Sequence, residues 1–106
     1  MSEDEQASDP LYQYRTTGHL VLEGKLSAIS VAVVITPYAQ ERMKQRDIDD
    51  SEVLEALASS RSSHGRGKTE GRYEVAGKTV RGRVRVIYER PTADIVLVIT
   101  THPESE

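Results

Sequence analysis

The sequence predicts an α+β domain in which two short helices pack on one face of a mainly antiparallel sheet of four to five strands. Two observations carry this. Apolar, β-branched runs recur near residues 19–22, 27–35, 72–75, 79–88 and 95–102. Between the second and third of them, "TPYAQERMKQRDIDDSEVLEAL" (36–57) repeats apolar residues at helical spacing and carries two helix-start signals.

Residues 1–14 are polar and acidic with little to bury, and are expected to be disordered, leaving 15–103 as a single domain. A strand at 19–22 and a second at 27–35 flank a turn expected at Glu23-Gly24-Lys25. Both faces of the second strand are apolar, Ile29, Val31, Val33 and Ile35 on one and Ala28, Ala32 and Val34 on the other, which predicts cover on both sides. Thr36-Pro37 supplies an N-cap and a proline at the first helical position. The helix runs to about Arg46, with Ala39 and Met43 inward and Arg42 and Arg46 as a neighbouring row one turn apart. Asp49 and Glu52 form a capping-box pattern for a second helix, whose apolar face is Val53, Leu54 and Leu57. Residues 58–71, rich in Ser, Gly and Arg, lack periodicity and are read as a loop. A strand at 72–75 then precedes a turn at Ala76-Gly77-Lys78. The alternating run "TVRGRVRVIY" puts Arg81, Arg83 and Arg85 on one face. A turn across Glu89–Asp94 leads to the buried run "IVLVITTH".

Composition excludes several chemistries. The 106 residues contain no Cys, which removes disulfides, thiolate metal sites and a thiol nucleophile. Three histidines, His19, His64 and His102, fall at no metal-ligand spacing, so neither metal nor cofactor is expected. No apolar run approaches the roughly 18 residues of a membrane span, and the acidic N-terminal segment is unlike a signal peptide, so no membrane partner and a cytoplasmic location are expected. No phosphate-loop, nucleophile-elbow or paired-carboxylate pattern is present.

Charge points to a polyanion. The formal net charge of −3 conceals a basic stretch from 61 to 90, where nine Lys and Arg face three Glu, a formal +6. The Arg81/Arg83/Arg85 row is either the wet face of a strand or a phosphate site; guanidinium forks suit phosphate oxygens. His64, Arg66, Lys68 and Arg72 extend the same field as RNA-binding candidates, with His64 also readable as an ordinary loop histidine. Arg42 and Arg46 either form structural ion pairs with Asp50 or Glu89 or face a substrate. The polar end of the last strand, Thr100 and His102, would lie beside the arginine strand if the two pair antiparallel. A common phosphate would then meet His102, Thr100 and Arg83, with Arg85 and Arg42 flanking. Cations, Tyr and His without strand carboxylates make the inventory of a metal-free ribonuclease. There the RNA 2′-hydroxyl attacks phosphorus, and the protein supplies a base, an acid and cations.

The segment "ITPYAQERMKQRDIDDSEVLEAL" resembles a family of small bacterial domains, of unassigned function by name, marked by T-x-H-A-x-x-R-M-x-x-R-x-I-x-x-x-x-V-x-x-A-L. Thr36, Ala39, Arg42, Met43, Arg46, Ile48, Val53, Ala56 and Leu57 occupy the matching places. "GRYEV", "VRVIY" and "IVLVITT" answer to its later strands, and Tyr38 stands where the family usually has His. Such domains are similar to RelE/ParE-like toxins and to the barnase/EndoU/colicin/RelE ribonuclease superfold. The resemblance implies a metal-independent endoribonuclease toxin module with Tyr38 and Arg42 at its cleft; with Arg83, Arg85, Thr100 and His102 from the expected strand pairing these are the catalytic candidates, and Arg46 and Arg81 join the RNA-binding ones. It further implies an acidic cognate antitoxin or immunity protein, and action in the cytoplasm or delivery into a target cell within a larger secreted toxin. A non-catalytic RNA- or protein-binding member of the same fold is the alternative.

Overall fold

The computed structural model describes residues 10–59, 63–66, 70–80 and 82–104. In chain order the elements are α1 (Tyr12–Thr16), β1 (Leu20–Leu26), β2 (Ile29–Ile35), α2 (Pro37–Arg46), α3 (Asp50–Ala58), β3 (Ser63–Arg66), β4 (Arg72–Thr79), β5 (Gly82–Thr92) and β6 (Ile95–Glu104). The architecture is α+β, with short helices packed against one six-stranded sheet of order β1-β2-β6-β5-β4-β3. Every neighbouring pair is antiparallel except β2 and β6, which run parallel.

Several boundaries differ from the sequence expectation, each for a local reason. β1 continues through Gly24, where a Cβ would lie 2.9 Å from both Leu54 Cδ2 and Val33 Cγ2. That glycine permits close helix-on-sheet packing rather than a turn. The hairpin turn instead falls at Ser27, a non-glycine residue at φ 54°. β4 runs unbroken through Ala76, Gly77 and Lys78, and the chain reverses after Thr79, with Gly82 at φ 128°. β5 extends through Arg90 and Pro91 to Thr92, so the turn before β6 is only Ala93 and Asp94. Residues 63–66, read as loop, form edge strand β3 against β4, which brings the strand count to six rather than four or five. A short helix at Tyr12–Thr16 begins inside the segment expected to lack structure.

The two central helices form as the sequence predicts. Thr36 is extended, and its Oγ1 accepts a hydrogen bond from Ala39 N at 3.0 Å, with Pro37 following at the first helical position. Such a cap contributes about 1 kcal/mol. α2 ends on Asp47 in the left-handed region at φ 55°, and Ile48 N closes the turn onto Met43 O at 2.9 Å. The capping box at the start of α3 is present, with Glu52 Oε1 accepting from Asp49 N at 3.2 Å.

Ala39, Met43 and Ile48 join Val53, Ala56 and Leu57 over Val33, Ile35, Val75, Val84, Val86, Val96 and Val98 in one buried cluster. α3 contacts β1, β4 and β5, while α2 lies against β6. Val34 and Ile95, on the opposite face of the sheet, are buried too, so the two-sided cover expected of β2 is found. No described helix is long and apolar enough to cross a membrane.

Candidate functional site

β2 ends at Ile35, opposite Val98, and Thr36 N still donates to Val98 O. Beyond that point β6 is paired, among the described residues, only with β5, and α2 lies against it. Backbone groups on a strand edge need partners. Arg46 provides one, its Nη1 donating to the Thr101 carbonyl oxygen. The same Nη1 lies 2.9 Å from His102 Nδ1. Because guanidinium has no acceptor, Nδ1 must carry the lone pair and the imidazole proton must sit on Nε2.

Electrostatics reinforce that state. Partial burial pushes the His102 pKa below its ordinary value of 6.5, and the positive charges of Arg46, Arg85 and Arg42, in that order, lower it further. At neutral pH His102 is therefore an uncharged ring among three guanidinium groups. Arg85 arrives from β5, where it is the cross-strand partner of His102 and shares its face of the sheet. Its Nη1 is also 3.2 Å from Glu74 Oε1.

The helix row continues away from His102. Tyr38, Arg42 and Arg46 follow one another at intervals of four residues and so line one side of α2, about 12 Å from first to last. Arg42 Nε donates to Tyr38 Oη at 3.0 Å, and its Nη1 donates to Gln45 Oε1 at 3.2 Å. The Arg42 Cζ lies 5.4 Å from the centre of the Tyr38 ring, which is 56% exposed. The patch thus runs from an open aromatic ring, through Arg42 and Arg46, to His102 and Arg85.

The structure gathers Tyr38, Arg42, Arg46, Arg85 and His102, with Thr100 and Arg83 on either side of the Arg85–His102 pair, and it sets His64, Arg66 and Arg72 on β3 and β4. Thr100 pairs with Ile87, two residue pairs along the ladder from the Arg85–His102 pair and on the same face. Arg83 sits on the other side of that pair, opposite Lys78 and Glu104, so the direct strand partner of His102 is Arg85. Arg66 is on edge strand β3, and Arg72 is held by Glu89 through Nε and Oε2 at 3.1 Å. His64 lies in β3 opposite Val75. Arg81 and Lys68 lie outside the described residues. Neither structural ion pair considered for the helix arginines forms: among the described residues Arg46 contacts a carbonyl and a histidine, not Asp50 or Glu89. Two functional partners were missed from sequence. Glu74 relieves Arg85 from the adjacent strand, and the Thr101 carbonyl anchors Arg46. Glu74 carried a signal, since it lies in an alternating strand; a backbone carbonyl carries none.

Among the described residues no group of three or more His, Asp or Glu is placed to hold a metal ion. Donors dominate the patch, so its chemistry is that of an anion site: guanidinium forks, an imidazole N–H and a phenol oriented by Arg42.

Residues 35–102 match the family described as domain of unknown function (DUF4258), and the chain belongs to that family. The matched stretch begins at the last residue of β2 and ends on His102, so it contains every residue of the patch. Neither the curated proteins nor the solved structures include a match to this chain.

Proposed function

We propose that the protein is a metal-independent endoribonuclease of the toxin type, which holds an RNA phosphate on the patch formed by α2, β5 and β6. One observation carries this reading: Arg42, Arg46 and Arg85, from two separate elements, converge on a histidine kept neutral at pH 7. In the proposed reaction a phosphate competes for Arg46, whose guanidinium keeps its hold on the Thr101 carbonyl, and His102 Nδ1 is freed. Nδ1 then takes the proton of the RNA 2′-hydroxyl as that oxygen bonds to phosphorus. The P–O5′ bond breaks, and the 5′-oxygen leaves with a proton from water. The guanidinium groups bear the extra negative charge of the phosphorane. Kinship with RelE/ParE-like toxins and the barnase/EndoU/colicin/RelE ribonucleases belongs to this reading. So does an acidic antitoxin or immunity protein seated over the same cations, with an association rate that falls as salt rises. The substrate places the action in a cytoplasm, that of the producing cell or of a target cell.

A second reading has its own support. While Arg46 occupies Nδ1, His102 offers only an N–H donor and no base, which suits a non-catalytic module that binds RNA or a protein partner. Incubating the purified protein with RNA in excess EDTA separates the two. Cleavage is expected to leave 2′,3′-cyclic phosphate and 5′-hydroxyl ends, and His102→Gln is expected to slow it by about a hundredfold. RNA that is bound but uncut would establish the binding module, and inhibition by EDTA reversed by Mg²⁺ would contradict the mechanism.

A further inference from the structure

We infer that Tyr38 is a stacking platform for a nucleobase, and that the patch therefore takes single-stranded RNA in preference to duplex. This rests on the phosphate-binding reading of Arg42, Arg46, Arg85 and His102. The five tyrosines differ in surroundings. Tyr88 is buried and stacks on Tyr73 with ring centres 5.7 Å apart, and Tyr14 lies against His19 with centres 5.2 Å apart. Tyr12 is 41% exposed on short helix α1. Tyr38 is the most exposed of the five at 56%, and it stands at the end of that row.

Its ring is also held in place. The phenol oxygen accepts from Arg42 Nε, the guanidinium lies 5.4 Å from the ring centre, and Gln45 secures the other end of that guanidinium. An aromatic surface fixed in advance loses little rotamer freedom when a flat partner covers it. The spacing is suited to a strand. A phosphate at His102 and Arg85 leaves Arg42 for the neighbouring phosphate, and the base on the far side of Arg42 reaches Tyr38, two helical turns from Arg46. Only an unpaired base can splay out onto a ring in this way; in an A-form duplex the base faces are occupied by their own neighbours.

The test measures binding of fluorescein-labelled 2′-O-methyl oligouridylate, which cannot undergo 2′-hydroxyl attack. A strand of equal length built of abasic sugars and a 2′-O-methyl duplex serve as the other probes. The single strand is expected to bind more tightly than either. Tyr38→Ala is expected to weaken single-strand binding by about tenfold, as loss of one stacked base does, with a much smaller change on the abasic strand. Tyr38→Phe is expected to restore most of the lost affinity, because the ring and not the hydroxyl carries the contact. Equal losses on both strands in Tyr38→Ala, or no loss on either, would overturn the stacking role while leaving the phosphate site standing. Failure of the wild-type protein to bind the single strand and the abasic strand alike would overturn both.

Discussion

Two sets of arginines in this protein face different company. On β4 and β5, Arg72 meets Glu89 and Arg85 meets Glu74, so these guanidinium groups stand beside carboxylates. On α2, Arg42 and Arg46 meet a phenol, an amide, a backbone carbonyl and an imidazole, all of them uncharged. Partly exposed ion pairs such as those on the strands add little to stability. At Arg72 the pair cancels the field that a passing anion would feel, whereas Arg85, paired across the strands with His102, still acts on that ring. Charge read along the sequence therefore overstates Arg72 and understates the helix, whose two cations meet no carboxylate among the described residues.

The largest expected effect comes from Arg46→Ala, because that side chain both closes the open edge of β6 and contributes charge to the patch. Loss of a charged hydrogen bond of this kind is expected to cost about 2 kcal/mol in a denaturant titration, with RNA affinity falling as well. Stability unchanged from wild type would show that the edge carbonyl is satisfied without it. Next comes Arg42→Ala, expected to leave stability alone and to reduce the slope of log affinity against log salt by about one, the signature of one lost phosphate contact. Arg72→Ala is the matched control from the strands: its slope is expected to stay at the wild-type value, and an equal drop in both variants would erase the distinction between the two sets.

The smallest effect concerns pH. The folded-state pKa of His102 is lowered from 6.5 by burial and by Arg46, Arg85 and Arg42. As pH falls below 6.5 the unfolded chain takes up the proton first, so the stabilising difference is complete above 6.5 and is lost as pH drops through the folded value. An NMR titration of the His102 ring is expected to place its midpoint below 6.5 and to move it upward in Arg46→Ala. A midpoint at or above 6.5 in the wild-type protein would mean that the helix arginines do not act on this ring.

Much of the scaffold for this site is legible in the chain, and the contacts that complete it are not. Thr36-Pro37, Asp49 with Glu52, and the Ala39/Met43 spacing announce α2 and α3, because caps and helical periodicity are local signals. The alternation of Arg83, Val84, Arg85 and Val86 likewise gives the facing of β5. Glycine misleads twice, since Gly24 and Gly77 lie inside strands, whereas the β1–β2 turn uses Ser27 at positive φ. The parallel pairing of β2 with β6 leaves the end of β6 open, and Arg46 answers it across 55 residues of sequence. No local pattern encodes that contact. Nor does charge counting reveal that Arg85 is shared between Glu74 and His102.

Chemical-shift mapping with the non-cleavable 2′-O-methyl single strand tests most directly whether the α2 row with His102, rather than Arg66 and Arg72 on the outer strands, receives RNA. The expected result is that the side-chain N–H signals of Arg42 and Arg46, the His102 ring and the Tyr38 ring move together and saturate at one ratio, with Arg66 and Arg72 unmoved. Shifts confined to Arg66 and Arg72, with the α2 row and His102 silent, would contradict it.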